Sequence, residues 1–139
     1  MGILPGLIGF NLRCAHLALF QHFSATVGQQ DITAPQFGTL LLIEANPDIS
    51  QSAIAEALRF DRSTLVQIID RLEGRYLVVR RVSPTDRRSH ALRLTESGAA
   101  LLEQLKELAA SHEDDVAGTL STDEREQLID LLKKLYSPA

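Results

Sequence analysis

The chain has 139 residues, 45% of them hydrophobic, and a formal net charge of −4. This suits one domain of ordinary size and is too apolar for a disordered chain. No apolar run reaches the ~18 residues of a membrane-spanning helix, Met1-Gly2-Ile3-Leu4-Pro5-Gly6 lacks the basic flank of a signal peptide, and a single cysteine, Cys14, excludes an internal disulfide or a cysteine-built zinc site.

The expected setting is therefore a reducing cytoplasm. In chain order, residues 7–27 predict a helix, with Leu12, Ala15, Leu19, Phe20 and Phe23 at helical spacing. Gly28-Gln29-Gln30-Asp31 breaks it. Thr33-Ala34-Pro35-Gln36 has the form of a capping box, flanked by Ile32 and Phe37 as a hydrophobic staple, and starts a second helix over about 34–45. Asn46-Pro47 ends it, because proline disfavours helix in the residue before it. Ser50 caps a short helix over about 51–58, with Ile49 and Ile54 as its staple. Asp61 caps another over about 62–74, whose inward stripe is Leu65, Ile69 and Leu72. The period then changes: Leu77–Ser83 and Ala91–Leu94 read as strands around the charged turn Pro84-Thr85-Asp86-Arg87-Arg88-Ser89. Thr95 caps a long helix to about 115, and Ser121-Thr122-Asp123-Glu124 is a second capping box opening a last helix to about 136. No internal repeat is visible.

The net charge conceals an asymmetry. Residues 1–49 carry one basic and three acidic groups, residues 50–94 nine arginines against five acids, and residues 95–139 four basic against ten acidic groups. Arginine's planar fork suits phosphates and guanine edges. Positive charge thus gathers on two short helices and a basic hairpin, the parts of a winged helix-turn-helix. Arginines solvating one face are the alternative.

The stretch Asp86-x-Arg88-x-x-x-Leu92-x-Leu94-Thr95-x-x-Gly98 resembles the wing-to-helix signature of the MarR family of regulators. Ser50–Leu58 is similar to that family's first DNA-side helix, Arg62–Glu73 to its recognition helix, and Tyr76–Arg81 to its entry into the wing. The resemblance implies a mainly α fold with a small β-hairpin wing. It implies one domain over 1–139, with a DNA-binding lobe over 33–95 and dimerisation helices over 1–30 and 96–139. It also implies a homodimeric regulator of a pseudo-palindromic operator on double-stranded DNA, often a repressor released by a small phenolic or aromatic ligand.

An α-helix fits the major groove, where base edges carry a distinguishable pattern of donors and acceptors. Arg62 suits guanine or a phosphate, Gln67 adenine, and Ser63 and Thr64 either bases or phosphates. Thr64 as a capping partner is the alternative. Ser50, Gln51 and Ser52 stand where phosphates could be bound beside backbone N–H groups. Arg71 is read as DNA-facing, or as an ion pair with Asp70 or Glu73. At the wing, Arg87 is the candidate for the minor groove, with Asp86 and Arg88 shaping the tip or solvated.

For an effector the candidates are Arg13, His16, Phe20, Phe37 and Leu41, although a lone histidine on an apolar helix, such as His16, is more often a packed, satisfied residue. Leu4-Pro5-Gly6-Leu7-Ile8-Gly9 with Arg13 is similar to a branch of the family that regulates aromatic-acid catabolism, where some members answer to aromatic acids or their CoA thioesters. Cys14 offers a redox alternative, since some members sense peroxide through a cysteine on this helix; Phe23, Ala34 and Phe37 stand where those members supply tyrosines. A winged-helix protein-interaction module is the other alternative. No nucleophile–base pair, phosphate loop or metal-ligand spacing suggests an enzyme, cofactor or metal, and Glu113-Asp114-Asp115 reads as solvated surface.

Overall fold

The structure, a computed structural model, describes residues 1–82 and 90–137. A 3₁₀ turn at Leu4–Gly6 precedes α1 (Ile8–Ala25), and another at Val27–Gln30 leads to α2 (Ala34–Ala45). Then come β1 (Ile49–Ser50), α3 (Gln51–Leu58), α4 (Arg62–Gly74), β2 (Val78–Val82), β3 (His90–Leu94), α5 (Glu96–Val116) and α6 (Thr122–Tyr136). No helix among the described residues is long and apolar enough to cross a membrane.

The helix starts follow the local chemistry. At α2 the Gln36 N–H donates to Thr33 Oγ1 (3.2 Å) and the Thr33 N–H to Gln36 Oε1 (3.1 Å), closing the capping box. Ile32 of its staple is buried. Ser50 accepts from the Ala53 N–H at 3.1 Å, and Asp61 from the Thr64 N–H at 2.7 Å. Ser121 and Glu124 close the second capping box. Such caps satisfy backbone donors that the first turn leaves without partners.

The third strand is absent from the sequence expectation. β1 is only two residues long, too short to show alternation. It pairs antiparallel with β3 (Ile49 opposite Leu92, Ser50 opposite Ala91), and β3 pairs with β2 from Val78–Leu94 to Val82–His90, giving the order β1-β3-β2. What holds β1 in place lies far along the chain: the Asp48 N–H donates to Leu92 O (3.0 Å), and Arg93 grips the Asp48 carboxylate through Nε (2.7 Å) and Nη2 (2.6 Å).

The end of the wing is locked to α5. Thr95 donates its N–H to Leu77 O at 3.0 Å and its hydroxyl to Tyr76 O, while its Oγ1 accepts from the Gly98 N–H at 2.9 Å. A Cβ on Gly98 would lie 2.0 Å from Leu77 O. Leu94-Thr95-x-x-Gly98 is therefore a packing device: threonine ties the strand end to the helix start, and glycine lets the Leu77 carbonyl pass.

The core runs through Leu40, Ile43, Ile54, Leu65, Ile69, Leu72, Leu92, Leu102 and Leu105, joining α2 to β3 with α5. Of the helically spaced apolar residues of α1, Phe23 alone enters it. Only Phe23 of α1 is buried, whereas Leu12, Leu19 and Phe20 are exposed. α6 buries no residue at all, and Leu128, Ile129, Leu131 and Leu135 are exposed.

Candidate nucleic-acid interface and effector cavity

α4 buries Leu65, Ile69 and Leu72 against the core and turns Arg62, Ser63 and Gln67 outward, with Thr64 half-buried. The helix is preset by a tight turn. Arg59 closes α3 in the left-handed conformation (φ 61°), and the Phe60 N–H donates back to Ala55 O at 3.0 Å. Asp61 then accepts from Thr64 and from the Ser63 hydroxyl (3.1 Å). Hydrogen bonding by Thr64, and then by Ser63, holds the Asp61 carboxyl below the ordinary 3.8. The Ser63 hydroxyl, expected at bases or phosphates, is thus engaged with the cap, and Thr64 takes part in the cap through its backbone N–H. Ser50 is likewise occupied in capping α3, with Gln51 half-buried and Ser52 exposed beside it.

The wing is fixed to α4 through Arg80 on β2, whose Nη2 lies 2.7 Å from Asp70 Oδ1. Asp70, one of the two acids considered as an alternative partner for Arg71, is thus engaged by Arg80. Arg71 points elsewhere, into a cavity of about 410 Å³ that it lines with Phe20, Phe23, Ser24, Thr33 and Gln36. Arg75, one turn on, ties α4 to the preceding block by donating to Asp31 O at 2.7 Å. Asp86, Arg87 and Arg88 lie outside the described residues.

The five expected effector residues do not converge. Phe20 reaches the Arg71 cavity, while Phe37 stands behind its wall, 6.2 Å from the Phe23 ring centre. Leu41 is half-buried against the core, and Arg13 is exposed. His16 instead faces a cleft of about 960 Å³ between α1 and α6, walled by Ile8, Leu12, Leu19, Leu128 and Leu135. Arg71, one turn beyond Gln67 on the last turn of α4, is exposed and lines the smaller cavity together with Phe20. Cys14 is exposed on α1, and among the described residues no group of three His, Cys, Asp or Glu side chains could hold a metal ion.

Residues 30–89 match the model of the MarR family. The transcriptional regulatory protein for the hcr operon of Thauera aromatica is 39% identical over 136 residues, covering 97% of this chain and 82% of the relative. The chain belongs to the MarR family. Two solved structures sharpen the likeness. The transcriptional repressor CouR bound to a 23-mer DNA duplex superposes with a TM-score of 0.93 at 42% identity, over 98% of this chain and 96% of that one. CouR bound to p-coumaroyl-CoA superposes with a TM-score of 0.90 at 39% identity, over 100% of this chain and 98% of that one. This MarR-family chain is accordingly a transcriptional regulator with a winged-helix fold and not an enzyme. These relatives favour neither the redox nor the protein-interaction alternative.

Proposed function

We propose that this regulator is a cytoplasmic homodimeric repressor that grips a pseudo-palindromic operator and releases it when an aromatic acid, or its CoA thioester, binds. The observation that carries the reading is the start of α4, where Arg62 and Gln67 stand outward on a helix whose opposite face is locked into the core. This is the arrangement that major-groove reading requires, and it sits in a fold superposable on DNA-bound CouR. Phosphate contacts from Gln51, Ser52 and backbone N–H groups would fix the register, and Arg87 would enter the minor groove.

Residues 33–95 form the DNA-binding lobe on this reading, and 1–30 with 96–139 form the dimerisation arm. The apolar surfaces of α1 and α6 support the assignment, since exposed Leu12, Leu19, Leu128, Leu131 and Leu135 would be costly in water without a partner. The effector site is the cavity between arm and lobe. Phe20 and Phe23 offer aromatic walls and Arg71 a guanidinium suited to an anionic group. Because Arg71 belongs to the recognition helix, a ligand held there also contacts the element that reads DNA. An effector that prefers one placement of α4 would shift the population between gripping and released forms.

A mobility-shift assay on the DNA upstream of the gene, with p-coumaroyl-CoA, p-coumarate and free CoA as separate arms, tests the proposal. Specific retardation relieved by one of the first two is expected. No retardation at low salt, or retardation unaffected by any arm, would refute the DNA or the effector reading respectively.

A further inference from the structure

His22 on the last turn of α1 and His112 on α5 approach each other Nδ1 to Nδ1 at 2.7 Å. His112 is buried, with its ring edge-on to Phe23 (90° between planes, 5.5 Å between centres). His22 Nε2 lies 3.5 Å from Asp115 Oδ2. Neither histidine has a part in DNA reading or effector binding as described above.

A hydrogen bond between two imidazole nitrogens needs one N–H and one lone pair. Two protonation levels satisfy it. With both rings neutral, one Nδ1–H donates to the other Nδ1. With one proton added, His22 donates through Nδ1 to His112 and through Nε2 toward Asp115, and the bond persists. A second proton leaves two N–H groups facing each other and two like charges within hydrogen-bonding distance. The bond then has no acceptor and must open.

We propose that the His22–His112 pair is an acid-sensitive clasp between α1 and α5, closed while at most one extra proton is shared and opened by the second. The surroundings are consistent with this. Burial, and then the neighbouring His22 charge, push the His112 imidazole below the ordinary 6.5, with Glu113 and Asp115 on α5 opposing them. Arg125 of α6 engages Asp114 (3.0 Å) and approaches Glu113 (3.8 Å). The Val27–Gln30 turn packed against α5 has no titratable group, and on α2 Glu44 is taken by Lys106 of α5. Phe23 touches His112 on one side and walls the effector cavity on the other, so opening the clasp loosens that wall.

The sign follows from linkage. A histidine whose folded pKa is depressed binds its proton more readily in the unfolded chain. The clasp's contribution is complete above pH 6.5 and is lost as pH falls through the lower folded value. Asp48 and Asp61, both held below 3.8, lose their partners only in stronger acid, so pH 5–7.5 isolates the histidines.

The test is a pH titration of the full chain by NMR of the imidazole nitrogens, with amide hydrogen exchange along α1 and α5. In the wild type, His112 is expected to protonate below 6.5, with loss of the Nδ1–Nδ1 bond and faster exchange at that step. In His22→Phe its midpoint should rise, because the neighbouring charge is gone. Protonation of both rings with the bond retained would overturn the proposal, and the wild type alone can show that. A His112 midpoint unmoved by His22→Phe would do the same. The clasp concerns the α1–α5 joint alone, so it stands or falls independently of the operator reading.

Discussion

Gly98→Ala isolates the joint between wing and long helix. In a helix interior alanine is ordinarily favoured over glycine by about 1 kcal/mol. Here the added Cβ would sit 2.0 Å from the Leu77 carbonyl oxygen, a backbone atom that cannot rotate away. To relieve the overlap, α5 and the start of β2 must separate. That strains the Thr95 N–H bond to Leu77 O and the Thr95 hydroxyl bond to Tyr76 O. Overpacking costs about 1–3 kcal/mol, a lost hydrogen bond about 1, and a weakened cap about 1, so the net loss after alanine's helical preference is about 2–4 kcal/mol. For a chain of this size that corresponds to a fall in Tm of roughly 10 °C, measured at fixed protein concentration because a dimer's stability depends on it. Gly74→Ala is the matched control, since its Cβ would meet nothing within 4 Å. Calorimetry or denaturant unfolding in which Gly98→Ala matches Gly74→Ala would refute the reasoning.

Arg62→Ala should weaken operator binding by about 1–3 kcal/mol without changing the Tm, as loss of one direct base or phosphate contact does. Arg71→Ala should leave ligand-free operator affinity intact and blunt release by p-coumaroyl-CoA in fluorescence anisotropy; equal damage to DNA binding by both variants would sink the cavity assignment. Leu131→Glu on α6 should give a monomer in analytical ultracentrifugation, and a variant that stays dimeric at micromolar concentration would show that this face is not the interface. Ser50→Ala removes the acceptor for the Ala53 N–H and should cost about 1 kcal/mol in denaturant unfolding. The hydrogen bond from Arg93 holds the Asp48 carboxyl below 3.8. Its contribution is therefore present above that pH and lost as pH falls through the lower folded value, and Asp48→Asn should flatten the acid limb of the stability profile.

Much of the architecture was legible because it is encoded locally. The caps at Thr33, Ser50, Asp61, Thr95 and Ser121 are each decided by a side chain and a backbone N–H three residues away, and all five form as expected. The spacing of Leu65, Ile69 and Leu72 fixed which face of α4 is buried, and hence which residues it leaves outward. The same reasoning could not say what α1 buries, because periodicity reveals that a face is apolar and not what covers it. Leu12 and Leu19 recur at helical spacing, yet within the chain they stand exposed beside α6.

By itself the sequence determined the order of elements, the bounds of α2, α3 and α4, and the outward set on the recognition helix, since each depends on interactions within about one turn of helix. Only the tertiary structure decided the rest. β1 exists because Leu92 and Arg93 reach Asp48 across more than forty residues. Arg71 belongs to a cavity because α1 brings Phe20 and Phe23 opposite it. His22 and His112, ninety residues apart, meet Nδ1 to Nδ1 because α1 and α5 pack together. Such contacts depend on where helices cross, and no local pattern of residues records a crossing.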